Sequence, residues 1–280
     1  MSLLSLSRRE RCVLSLFALL LLTAVLGPAV PASGFGATSF ADGQAWHGLP
    51  NAMDVLSNLP FAAIGIWGLR WLHWLDRVHE EAQDAAVLPQ AAPQPPVNSL
   101  DCAWMFFAGL ILTALGSAFY HLAPDGMRLA ADRAGMAVAF AGLVGFAVCE
   151  RVSSRAGWPA AWFTLVGGLL AAAVCHETGN ALPWALVQFG GMTLIAALAM
   201  ARPTKGAIGL KLGWVIFFYM LAKMLELGDH AIFEATNQLL SGHTLKHLTA
   251  ALAALPVLHA LQAMERRTLR HNPGAVTVTA

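Results

Sequence analysis

The stretch S-G-H-T-L-K-H-L, Ser241 to Leu248, decides how this chain is read. His243 and His247 are four residues apart, so on a helix their imidazoles stack on one face about one turn apart. Two imidazoles so related are half of a tetrahedral metal site. They are also what polar residues capping a helix end near lipid headgroups look like, and the pair alone does not separate the two. An apolar run, Leu248 to Leu261, follows at once. The pair therefore stands at the mouth of a helix apolar enough to enter a membrane.

Working outward, the same apolar character fills the chain. Of its 280 residues, 57% are hydrophobic and 12% charged, and the mean hydropathy is +0.60. Soluble domains carry about 25% charged residues, so the composition specifies a polytopic membrane protein. Eight apolar runs recur, at Cys12–Pro31, Leu56–Leu75, Leu100–His121, Leu129–Cys149, Trp158–Cys175, Pro183–Ala201, Ile208–Leu227 and His243–Met264. Lipid leaves no water for backbone groups, so these runs are expected as helices, and no alternating barrel pattern is present. The fold class is an all-α transmembrane bundle. The net charge of +1 and the absence of a basic, aromatic-interleaved patch give no reason to expect a nucleic-acid partner. Cys12, Cys102, Cys149 and Cys175 show no C-x-x-C spacing and read as small packing residues.

The first run admits two readings. Arg8, Arg9 and Arg11 precede a leucine-rich core and small residues follow through Ser33, as in a retained helix or a secretory signal peptide. Residues 1–34 are accordingly an N-terminal hydrophobic helix or signal segment, 35–265 the helical core, and 266–280 a tail. A Pro/Ala/Gln-rich connector, 78–99, interrupts the core. With the N-terminus in the cytoplasm, 13 Lys/Arg fall on the cytoplasmic side and Arg128, Arg133, Lys223 and Lys246, four in all, on the other, which fixes the orientation by the positive-inside rule. The alanine-rich composition points to a bacterial inner membrane.

Ionisable residues inside spans are costly and mark function. Here they gather at one depth. Ser117 and His121 end the third run, Asp132 begins the fourth, Glu226 and Asp229 end the seventh, and His243 and His247 begin the eighth. All fall towards the non-cytoplasmic face. Three imidazoles, His121, His243 and His247, with a water make an open tetrahedral zinc site. Ser117 shares a helix face with His121; its hydroxyl can serve a developing oxyanion or bond back to a helix carbonyl. Asp132 can be a helix cap or the general base for water at a metal. Lys223 and Glu226 are placed to pair, and Asp229 can orient a metal-bound imidazole or cap a helix.

This constellation resembles the alkaline ceramidase family and its wider superfamily of seven-helix membrane hydrolases, which includes the adiponectin-receptor-like proteins. The likeness rests on S-x-x-x-H (Ser117, His121), an Asp eleven residues later (Asp132), H-x-x-x-H opening the last helix (His243, His247), and N-A-M-D-V-L-S-N-L-P-F (Asn51–Phe61) with Ser57 and Asn58. It covers Asn51 to Met264 and implies seven core helices, with Cys12–Pro31 added in front. It further implies that His121, His243 and His247 bind zinc, that Asp132 activates water, and that Ser117 steadies the oxyanion, in an amidohydrolase acting on a ceramide-like lipid. Asn58, Glu226 and Asp229 would support that site from behind. The family's calcium site departs here: A-D-G-Q-A-W-H-G-L-P offers Asp42 alone, and Asn51 stands where a Glu is expected, so calcium is not expected. A lipid esterase, or a lipid-sensing receptor with a structural zinc, uses the same residues. A proton-coupled transporter fits less well, because such sites lie near the midplane.

Overall fold

A computed structural model describes residues 6–32, 40–84 and 98–271, with the backbone alone for 78–84 and 265–271. The chain is 78% helical and has no strands among the described residues. The helices are α1 (Arg8–Leu26), α2 (Ala52–Leu56), α3 (Leu59–Asp84), α4 (Ser99–Leu122), α5 (Gly126–Arg151), α6 (Ser154–Thr178), α7 (Leu182–Ala185), α8 (Gly191–Ala199), α9 (Leu212–Leu227), α10 (Asp229–Ala235), α11 (Gly242–Leu252) and α12 (Leu255–His271). A π-helical turn, Leu186–Gly190, joins α7 to α8.

Among the described residues, six stretches are long and apolar enough to cross a membrane: Ala52–Arg77, Ser99–Leu122, Gly126–Arg151, Ser154–Thr178, Leu182–Ala199 and Gly242–Met264. The other two apolar runs fall short for physical reasons. In α1 the charged first turn, Arg8 to Arg11, leaves a short apolar helix behind it. The seventh run is helical only from Leu212, over 16 residues, or about 24 Å of rise.

Two spans are broken rather than straight. The first core span divides into α2 and α3 at Ser57–Asn58, just ahead of Pro60. The last divides into α11 and α12 at Ala253–Ala254, just ahead of Pro256. A proline has no N–H to give and its ring crowds the carbonyl four residues back, so each helix ends before it and restarts. The connector expected at 78–99 begins later than its composition suggests, because α3 continues to Asp84. Residues 85–97, the tail beyond 271 and residues 1–5 and 33–39 lie outside the described residues.

The seam between α4 and α5 sets the core. Cβ atoms added at Gly109 or Gly142 would collide with the backbone of Ala139 or Phe106, and at Gly135 and Gly116 would lie 2.5 Å from the Leu112 carbonyl oxygen and 2.6 Å from that of Ala131. The two glycines on each helix are seven residues apart, so each pair keeps one face bare and the backbones approach as small residues allow in membranes. Asp132 lies beside this contact, its Cα 3.0 Å from where a Gly116 Cβ would be.

The end of the bundle remote from the histidines is clamped by charge. The buried Glu150 carboxylate accepts N–H bonds from Ile208, Gly209 and Leu210, and Arg151 donates to the Leu210 carbonyl at 2.8 Å. Glu10 accepts from Ser153 and Arg155 at 2.6 Å each. Those bonds, the Arg155 guanidinium foremost, hold the Glu10 carboxyl well below the usual carboxylate range. Arg9 caps the carbonyls of Arg151 and Arg202.

The seam makes a direct prediction. Gly142→Leu forces α4 and α5 apart and is expected to cost about 3 kcal/mol or more. Gly167→Leu, where an added Cβ meets nothing within 4 Å, is expected to leave stability within about 0.5 kcal/mol. Unfolding of the two detergent-solubilised variants measures the difference.

Candidate metal centre

The helix breaks place the site's scaffold. With the helix interrupted at Ser57–Asn58, the Asp54 carbonyl is free to accept from side chains, and it takes the Ser57 hydroxyl at 3.1 Å and the Asn58 amide at 2.8 Å. Ser and Asn are the residue types that compete for backbone in this way. The Ser57 proton is thus committed, and its oxygen lies 2.8 Å from His247 Nδ1. With the Ser57 proton on the Asp54 carbonyl, the ring that fits is the one donating from Nδ1 to the Ser57 oxygen, and the Asp54 backbone is a further partner of that ring. Nε2 keeps its lone pair.

The other two imidazoles arrive from helix ends. His121 lies in the last turn of α4, whose exposed carbonyl accepts from the Asn51 amide at 2.7 Å. His243 lies in the first turn of α11. Ser241 caps that helix by accepting from the Thr244 N–H. Asp229 accepts the His243 N–H at 2.7 Å and the Ala41 N–H at 2.9 Å. At Gly242 an added Cβ would strike the Leu225 carbonyl, so only glycine lets α11 start this close to the end of α9.

The three rings meet. Each offers a ligand atom within 4.8 Å of the others, and His121 Nε2 lies 3.2 Å from His243 Nε2. Ring centroids are 4.7 to 5.1 Å apart, with ring planes crossing at 68° to 83°. All three are buried, at 1%, 7% and 4% exposure for His121, His243 and His247. In a tetrahedral zinc site with Zn–N near 2.05 Å, ligand nitrogens lie about 3.3 Å apart. The donor set and its spacing therefore fit one metal ion. Phe40 covers two of the rings edge-on, 4.6 Å from His121 and 4.5 Å from His243.

Beside the triad runs a chain of charges. Lys246 Nζ is 3.0 Å from His243 Nε2 and 3.1 Å from Glu226, whose other oxygen takes Lys223 at 2.6 Å. The lone pair that Lys246 approaches is the one a metal would take, and Glu226 gives the ammonium a partner to keep when it yields.

Each residue singled out in the sequence has a definite place. Ser117 is buried, and its hydroxyl faces the Asp132 carboxylate across the α4–α5 seam. Asp132 is not the cap of α5: Asp125 fills that role, accepting from the Arg128 N–H. Glu226 pairs with two lysines and touches no imidazole in the bonds described. Asp229 grips the His243 backbone, so it positions α11 rather than a ring. Asn58 bonds the Asp54 carbonyl, and its buried Oδ1 has no partner among the described residues. Asp42 accepts from the Gln44 N–H. Three contributors were missed: Asp54, Thr244 and Lys246. The signal for Asp54 was present, as a carboxylate one turn before Ser57 and Asn58 in an apolar run. Those for Thr244 and Lys246 sat between the two histidines.

No protein-family model, curated protein or solved structure matches the chain.

Purified protein is expected to bind about one divalent metal per chain. His247→Ala removes one of three ligands and should lower the metal content after dialysis to near zero, as read by elemental analysis. Retention of wild-type metal content by that variant would contradict the site.

Proposed function

We propose that the chain is a zinc-dependent integral membrane amidohydrolase that cleaves the N-acyl amide of a ceramide-like lipid, giving a sphingoid base and a fatty acid. The observation that carries this reading is the convergence of three buried imidazoles, from α4 and α11, with Ser117 one turn before His121 on α4 and Asp132 facing it from α5. Three neutral nitrogen donors suit zinc. A carboxylate held close by suits acyl transfer to water. The motif likeness to the alkaline ceramidases supplies the substrate class.

His121, His243 and His247 would hold the metal. Zinc, when bound, supplies a Lewis acid that polarises the amide carbonyl and brings the acidity of water towards neutrality. The remaining work falls to this chain. Asp132 takes the proton of the attacking water and returns it to the departing amine, so no net proton is consumed in the step. Ser117, whose hydroxyl faces that carboxylate, orients it and turns towards the developing oxyanion. Lys246, tethered by Glu226, adds positive charge on the same side. Phe40 shields the rings from water, which strengthens each of these interactions. The Lys/Arg asymmetry supports a site at the non-cytoplasmic face, and the alanine-rich composition supports a bacterial inner membrane, with the acyl chains reached from lipid.

A non-catalytic reading, a lipid receptor with zinc tying α4 to α11, draws on the burial of the triad. One variant separates the two. Asp132→Asn should keep wild-type zinc content and lose at least about 100-fold in the release of fatty acid from a short-chain ceramide. Full turnover by Asp132→Asn would remove the proposed base. Absence of turnover by zinc-loaded wild-type protein on ceramides, other lipid amides and lipid esters would favour the receptor.

A further inference from the structure

Asp54 is a carboxylate in the wrong surroundings for a merely structural one. Its side chain is 0% exposed, in the short helix α2 within the first core span. One oxygen, Oδ1, accepts the Thr244 hydroxyl at 2.8 Å. The other, Oδ2, has no hydrogen-bond partner among the described residues, and neither does the buried His121 Nδ1. These two unpartnered atoms face each other at 3.9 Å. A buried acceptor and a buried donor left unpaired cost free energy on both sides. A shift of about 1 Å would bring them to hydrogen-bond distance.

We propose that Asp54 is a positioning residue for the metal centre, whose Oδ2 accepts the Nδ1 proton of His121, fixes that ring with Nε2 towards the shared vertex, and places a buried negative charge behind the cation. The proposal rests on the metal reading above and extends it to a residue outside the ligand set. The geometry of the whole turn agrees with it. The Asp54 carbonyl and Ser57 hold His247 by Nδ1, so one turn, Asp54 to Asn58, manages the outer nitrogens of two ligands on two different helices. Thr244, one residue from His243, bonds the same carboxylate and so ties α11 to that turn. Hydrogen bonds from a metal-bound imidazole to a carboxylate raise ligand basicity, and their removal commonly costs about 10–100-fold in metal affinity. A carboxylate with no Lys or Arg in ion-pair contact among the described residues gains from a divalent ion placed one imidazole away.

The test is Zn2+ affinity, by chelator competition, for purified wild type, Asp54→Asn and Thr244→Val. Asn keeps a neutral acceptor and the size but loses the charge, so Asp54→Asn should bind Zn2+ about 10–100-fold more weakly and shift the visible spectrum of the Co2+-loaded protein. Thr244→Val removes the tie between helices and the Ser241 hydroxyl's bond to Thr244, leaves the Asp54 charge, and should stay within about threefold of wild type. Equal losses in both variants, or none in Asp54→Asn, would overturn the proposal by reducing Asp54 to a structural tie or to nothing. Should Asp54→Asn fail to fold, nitrogen-15 NMR of histidine-labelled, Zn2+-loaded wild type decides. His121 protonated at Nδ1, with a slowly exchanging proton, supports the proposal; protonation at Nε2 overturns it. Wild-type protein that takes up no Zn2+ would sink the metal reading and this proposal together. Tight wild-type binding with an unaffected Asp54→Asn would sink this proposal alone.

Discussion

Three imidazoles turned inward on one another, out of reach of water, are the constraint on which the site end of this molecule depends. An imidazole buried in a membrane protein must satisfy two nitrogens. For His247 the outer one is taken by the Asp54–Ser57 turn, and for His121 it faces the Asp54 carboxylate. The inner nitrogens of His121 and His243 point at a common region, 3.2 Å apart. At that distance either one ring donates an N–H to the other or a positive charge sits between two lone pairs. In this structure the ammonium of Lys246 approaches one of them. A metal ion would serve all three.

Much of the surrounding architecture brings those rings to that place. The bare glycine faces of α4 and α5 let the two backbones touch, which sets the end of α4, and so His121, against the Asp132 turn. Gly242 seats α11 against the α9–α10 junction, and Asp229 holds the first turn of α11 by its backbone. The breaks ahead of Pro60 and Pro256 leave short helices where straight spans would be simpler. The first of them frees a carbonyl, and that carbonyl becomes part of the scaffold for His247. Irregular backbone inside a membrane is tolerated where protein buries it and something uses the exposed groups. Here the user is the triad.

The helical character was legible in the sequence, since only helices and closed barrels satisfy their backbone in lipid and the apolar runs show no barrel alternation. The histidine triad was legible too, because H-x-x-x-H at a helix mouth and an imidazole at another helix end fall at one depth once the spans are threaded. Three things were hidden. The first was helix continuity: Pro60 and Pro256 were visible, but the apolar runs that contain them read as unbroken. The second was the direction of individual bonds. Asp229 and Glu226 were legible as neighbours of the site, yet one binds backbone and the other binds lysines, and sequence does not say which. The third was Asp54. A single acid in an apolar run declares itself as unusual, but its relation to His121, 67 positions away, exists only after folding.

The central claim is that one cation is shared by His121, His243 and His247. X-ray absorption at the zinc edge of purified, zinc-loaded protein tests it most directly, because the multiple-scattering pattern of imidazole counts the rings around the metal. Three imidazole nitrogens at about 2.0–2.1 Å, plus one lighter oxygen ligand, are the expected result. A first shell with sulfur, or with fewer than three imidazoles, would contradict it.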